Sequence, residues 1–270
     1  MTIFAFIACL FAGLGAGVAT GFAGLSAAVV ISPVLISFLG IPAYDAVGIA
    51  LASDVLASAA SSATYWRNKN INIKSGFLMM AAAVVFAFLG SAVALLVHAE
   101  FEILMKYVPV GITLALGIKF LFFPSNDTTS RIIYSTEGTK LFMSIMCGGF
   151  IGFYCGMVGA GGGMIMLVIL TIVLGYDLKS AVGTSVLIMT AISLTGAISR
   201  FLFSPSFSLL GYWPELLCCV FFTLVGALSA AIIANKVTHK RMNFLTGLML
   251  VIIGVMTLLG GLLGWNLNTK

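Results

Sequence analysis

Residues 141–176 carry no charged side chain, and neither do residues 1–44. Thirty-six residues of helix would reach about 54 Å, against a hydrocarbon core about 30 Å thick, so neither stretch reads as one ordinary crossing. Eight apolar blocks run near 2–39, 43–66, 77–97, 101–123, 141–174, 180–202, 210–234 and 242–264, and the six other than these two have the length of a single span. Charged residues make up only 8% of the chain, where a soluble domain carries about 25%, and the mean hydropathy is +1.19. No period-two alternation of polar and apolar residues speaks for an outer-membrane barrel. Spanning helices remain, because lipid satisfies no open backbone group. The chain therefore reads as an all-α integral membrane protein.

Both long blocks are interrupted by glycine, at Gly21-Phe22-Ala23-Gly24 and at Gly156-Met157-Val158-Gly159-Ala160-Gly161-Gly162-Gly163. The interruptions lie 135 residues apart, half the chain, and the same offset pairs Gly13 with Gly148, Gly17 with Gly152, Gly40 with Gly175, Gly48 with Gly183 and Ser58 with Ser193. Such a run at one offset marks an internal duplication. If each long block crosses once there are eight helices, and the 13 Lys and Arg divide 8 to 5 between the two sides. If each is a broken pair of helices there are five plus five crossings. Then Arg67, Lys69, Lys74, Lys119, Arg131, Lys140, Lys179, Lys236, Lys240 and Arg241 share one side, leaving Lys106, Arg200 and Lys270 on the other. The second division obeys the positive-inside rule better, and an odd number of crossings makes the repeats inverted. The expected organisation is a first membrane repeat over 1–123, a polar cytoplasmic linker over 124–140 and a second repeat over 141–264, with both termini outside.

Gly13, Gly17 and Gly21, at i, i+4 and i+8, suit close helix packing, and Gly17→Ala is expected to leave activity intact. The run from Gly159 to Gly163 is different: each glycine costs roughly 1 kcal/mol in a helix interior, which makes sense where a helix breaks and backbone must approach something closely. Unwound backbone at membrane depth is tolerated only against protein or a wet cavity. A helix restarting there aims free N–H groups at that cavity, so paired breaks point to a transporter's anion site. Asp54 is the one carboxylate well inside a span, either a functional group or a structural one bonded to nearby hydroxyls. Arg200 ends its span on the sparsely basic side, where it either snorkels to the interface or draws anions in. Tyr65, Trp66, Tyr107, Tyr134, Tyr212, Trp213 and Trp265 fall near block ends, as an interfacial belt does.

Other classes find little support. The net charge of +5 lies in short connectors, not on a nucleic-acid-binding face. Cys9, Cys147, Cys155, Cys218 and Cys219 sit in apolar runs with no C-x-x-C pair, and the two histidines, His98 and His239, stand at block ends. No metal or other cofactor is expected, and no cleavable signal peptide is seen at the start. No hydrolase elbow or H-E-x-x-H pair suggests an intramembrane enzyme. A passive anion channel stays open as an alternative, because sequence encodes no visible conformational cycle.

The Gly-rich break followed by an apolar run and then Ala181-Val182-Gly183-Thr184-Ser185, with Ala46-Val47-Gly48 in the first half, resembles the TauE/SafE sulfite-exporter family. Tyr65-Trp66-Arg67-Asn68-Lys69 and Ile71-Asn72-Ile73 also look like that family's first-repeat loop. The resemblance spans both halves. It implies a secondary transporter in the plasma (inner) membrane that exports a small sulfur-containing anion, sulfite or an organosulfonate. The first repeat departs from the family in having Leu25-Ser26-Ala27-Ala28 where more glycines are usual and Ile49-Ala50 where Thr-Ser is common. The expected partners are the anion, membrane lipid and protons as coupling ion, since a protonated Asp54 would not repel an anion. The expected site lies near the midplane at Gly24, Leu25, Ser26, Gly161, Gly162 and Gly163, with hydroxyls from Ser26, Thr184 and Ser185 and with Asp54 and Arg200 on the path.

Overall fold

The computed structural model describes residues 2–94, 114–115, 117–122, 137–158, 162–203 and 211–262. The connector residues 123–136, the loops 98–106 and 204–210, and Tyr107, Tyr134 and Trp265 lie outside that set, so the expectations placed on them are not described further. Among the described residues every regular element is helical: α1 (Ile3–Ala23), α2 (Ala28–Leu39), α3 (Ala43–Arg67), α4 (Ile73–Ala94), α5 (Glu137–Val158), α6 (Gly162–Val168), α7 (Leu178–Phe203), α8 (Trp213–Lys236) and α9 (His239–Leu262). The α6 helix continues through a wider π-helical turn at Ile169–Val173. Helical residues 114–115 and 117–122 lie between α4 and α5. Five of the described helices are long and apolar enough to cross a bilayer.

The first long block folds as a hairpin. Thr2 caps α1 through its hydroxyl, which accepts the Ala5 N–H at 3.2 Å. The helix then runs 21 residues, about 31 Å, to a left-handed cap at Gly24. The 12-residue α2 returns beside it: Val30 stands against Gly15, and the Phe4 and Phe38 rings meet at 6.5 Å. Both ends of the block therefore lie at one end of the bundle. The second block does the same at the other end, where Ser75 on α4 meets Ser144, near the start of α5, at 2.8 Å. The two hairpins enter from opposite ends. Two glycines 135 residues apart take the same backbone turn. Gly40 and Gly175 close their half-helices with φ of +64° and +68°, and the next N–H in each, Ile41 and Tyr176, reaches back to Leu35 O at 3.2 Å and Leu170 O at 2.8 Å. A left-handed residue at a helix end is glycine's role.

Helix pairing is reciprocal between the halves: α1 lies on α8, α5 lies on α4, and α3 and α7 face each other at the centre. The contacts are made by small residues, because apolar side chains gain nothing from leaving lipid for another helix. Phe11, Phe88, Phe142, Phe150 and Phe221 are exposed, as a lipid-facing surface requires, while alanines, glycines and serines fill the interior. The packing at Gly13, Gly17 and Gly21 is tighter than the sequence suggests. A Cβ on Gly17 would overlap Thr223 O and stand 2.7 Å from Ala227 N, and one on Gly21 would stand 2.6 Å from Ala227 O. The expectation that Gly17→Ala is harmless is thus corrected: its neighbours are backbone atoms, which cannot rotate away.

One end of the bundle is basic. Asn70 donates to Asn235 Oδ1 at 2.7 Å, and Lys179 Nζ donates to Val237 O at 2.7 Å and Asn235 O at 3.2 Å. These contacts bring Arg67, Lys69, Lys179 and Lys236 to the same end. Eight single crossings would have put residues 67–74 and 235–241 at opposite ends. Tyr65 is also corrected. It is wholly buried and donates its hydroxyl to Gly21 O at 2.8 Å, so it belongs to no interfacial belt, whereas Trp66 and Trp213 are exposed.

Candidate functional site

The tips of the two hairpins touch at the centre of the bundle. A Cβ on Gly163, in the first turn of α6, would stand 2.7 Å from Gly24 O, 2.8 Å from Ser26 N and 2.9 Å from Leu25 Cα. Only glycine lets the backbones come so close. Gly24 itself needs to be glycine for a second reason, its φ of +62°. Its carbonyl accepts the Ser185 hydroxyl at 2.7 Å, tying the first tip to α7. Gly161 lies outside the described residues.

Beside the tips stands a carboxylate on α3, held by one serine from the first break and one from α7. Ser26 Oγ accepts the Ala28 N–H at 3.3 Å, starting α2, and donates to Asp54 Oδ2 at 2.9 Å. Ser193 on α7 donates to the same oxygen at 2.8 Å. Asp54 is fully buried, and its Oδ1 has no hydrogen-bond partner among the described residues. A hydrogen bond to a charged group contributes about 1.5–3 kcal/mol, so the two serines fix the carboxyl between the first break and α7. Ser58, one turn below Asp54, donates back to the Asp54 carbonyl at 2.5 Å and leaves the carboxyl alone.

A cavity of about 20 Å³ opens next to this cluster, lined by Ser26, Leu51, Cys155, Gly162, Met189 and Arg200 among others. That is room for about one water and too little for a three-oxygen anion. The cavity lies on the side of Asp54 away from the basic end. It joins the first tip, through Ser26, to the second, through Gly162, under the half-buried Arg200. A Cβ on Gly162 would run into the Cys155 sulfur.

Of the residues singled out in the sequence, Gly24, Leu25, Ser26, Gly162, Gly163, Ser185, Asp54 and Arg200 gather at the tips or the cavity. Thr184 does not. Its hydroxyl accepts the Asn72 N–H at 3.1 Å and its methyl faces Gly76, at the start of α4. Sequence reading missed Ser193, Cys155 and Met189. Ser193 stood out only as the partner of Ser58 at the repeat offset, and no local pattern says that it meets Asp54 across 139 residues. Among the described residues no group of three His, Cys, Asp or Glu could hold a metal ion.

A touching pair of glycine-broken hairpins, an arginine on the cavity that they share and a buried acid one hydrogen bond from its wall are parts that suit a membrane carrier. A family model described as sulfite exporter TauE/SafE matches residues 9–257. The chain belongs to the TauE/SafE family. Relatives of this TauE/SafE chain include the probable membrane transporter protein YunE of Bacillus subtilis (strain 168), 24% identical over 95% of this chain and 98% of its own length. The probable membrane transporter protein YdhB of the same organism is 23% identical over 67% of this chain and 73% of its own. A probable membrane transporter protein of Haemophilus influenzae is 27% identical over 53% of each chain. No solved structure matches. With its several apolar spans, this TauE/SafE member is a multi-pass transporter of the plasma membrane.

Proposed function

We propose that the protein is a secondary transporter that moves a small sulfur-containing anion, of the sulfite or organosulfonate class, out across the plasma membrane. The basic end is cytoplasmic, the two halves are inverted repeats, and protons are the coupling ion. The observation that carries this is a cavity shared by both hairpin tips and Arg200. The guanidinium supplies a fixed positive charge that attracts an anion, and the backbone N–H groups at the start of α6 have no partner within the helix. The reciprocal helix pairing and the opposed entry of the two hairpins support the inverted relation. The family's printed description supports the sulfur anion. Asp54 sits one hydrogen bond from the cavity wall through Ser26. As a carboxylate it repels an anion; protonated, it is neutral and can donate. Loading of the anion together with a proton, on opposite sides of Ser26, gives the coupling.

Because the cavity holds about one water, the tips must separate before an anion enters. The test is purified protein in liposomes, offered sulfite, sulfate and alkane sulfonates with and without a pH gradient. Saturable flux of sulfite or a sulfonate, driven uphill by the gradient, is the expected result. Flux that never saturates and only follows the anion's own gradient would make the protein a channel, and no flux of any of these anions would refute the substrate class.

A further inference from the structure

We infer that a second, closed half-path runs from Asp54 to the cytoplasmic end, with Tyr65 as its gate. This rests on the inverted-repeat reading proposed above. Shifting the walls of the cavity by the repeat offset of 135 carries Arg200 to Tyr65, Gly196 to Ser61, Met189 to Asp54, Gly156 to Gly21 and Cys155 to Thr20. In an inverted duplication, the walls of an opening on one side have counterparts that form the opening on the other.

The counterparts behave as such a set. Asp54, Ser61 and Tyr65 are spaced i, i+7, i+11 and so share one face of α3, as Met189, Gly196 and Arg200 share one face of α7. All three are buried. Asp54 Oδ1 and Ser61 Oγ both lack a hydrogen-bond partner among the described residues. Buried polar atoms in a helix bundle are normally paired, so two unpaired ones on one face need a reason. A path that admits water in another conformation supplies it. At the bottom of this face, where Arg200 stands in the other half, Tyr65 fills the space and its hydroxyl is bonded to Gly21 O at 2.8 Å. Gly183 packs close to the base of this side chain, since a Cβ there would stand 3.0 Å from Tyr65 Cβ. The cavity on the Arg200 side and the closed face on the Tyr65 side are then the two ends of one alternating path, and breaking the Tyr65–Gly21 bond opens the second.

The test places a reporter on the closed face. Ser61→Cys, a near-isosteric change, is made with Tyr65 intact and with Tyr65→Phe, which keeps the ring and removes only the hydroxyl. Inside-out vesicles are treated with a membrane-impermeant thiol reagent, and peptide mass spectrometry reads each cysteine separately. The expected result is slow modification at position 61 with Tyr65 present and several-fold faster modification with Tyr65→Phe. Cys155 on the opposite half-path should not gain in parallel. No modification at position 61 in either background, or equal rates in both, would overturn the proposal. The readout needs no substrate, so a protein that labels as expected but carries none of the sulfur anions would refute the substrate reading alone.

Discussion

Gly163→Ala adds one methyl where the two hairpin tips meet. The new carbon would lie 2.7 Å from Gly24 O, 2.8 Å from Ser26 N and 2.9 Å from Leu25 Cα, all inside the closest approach that carbon makes in proteins. Each neighbour is backbone, or fixed to it, so relief requires the tips to move apart by several tenths of an ångström. Overpacking of this kind costs about 1–3 kcal/mol. Separation also strains the Ser185–Gly24 bond and the Ser26–Asp54 bond, which hang on the same tip, Gly24 to Ser26. The expected outcome is a lower melting temperature in detergent and a loss of anion flux in liposomes. Gly138→Ala is the comparison, because Gly138 is exposed on α5 with nothing within 4 Å of the new Cβ, and alanine there favours the helix by up to about 1 kcal/mol. Parent-like melting and flux for Gly163→Ala would show that the tips do not touch in the membrane and refute the site built on them.

Gly17→Ala should destabilise by about 1–3 kcal/mol and reduce the yield of folded protein, since the methyl meets the backbone of α8; thermal melting reads it, and a parent-like value would mean that α1 and α8 stand further apart. Asp54→Asn keeps acceptors for Ser26 and Ser193 but cannot titrate, so transport should persist without responding to a pH gradient, and a full response would make Asp54 structural. Thr184→Val removes the acceptor of the Asn72 N–H and should cost about 1 kcal/mol of stability with anion KM unchanged; a raised KM with normal melting would return Thr184 to the binding site. Single cysteines introduced at exposed Lys69 and Lys236 should both label from the cytoplasmic side of inside-out vesicles, and labelling of the two from opposite sides would restore the eight-crossing arrangement.

The sequence by itself determined whatever depends on local composition and on the chain's likeness to itself. Uncharged blocks 1–44 and 141–176 require membrane helices, their glycine runs require breaks, and the 135-residue offset pairs Gly40 with Gly175 before either is seen to adopt the same left-handed turn. The thirteen basic residues sort the loops, because each charge favours water on one side whatever its neighbours do. Only the tertiary structure decided which face of each helix meets which other. Helical spacing puts Tyr65, Trp66 and Thr184 near segment ends, but it cannot say that Tyr65 turns inward to Gly21, that Trp66 turns outward, or that Thr184 serves Asn72 and not the breaks. The same holds for the Asp54–Ser193 bond and for Gly17, where tolerance of a methyl depends on the distance to a helix two hundred residues away. In a bilayer, apolar faces are equally content against lipid or protein, so hydropathy carries no record of contact. Close backbone approach and a few buried hydrogen bonds choose the partners, and those are properties of the assembled fold.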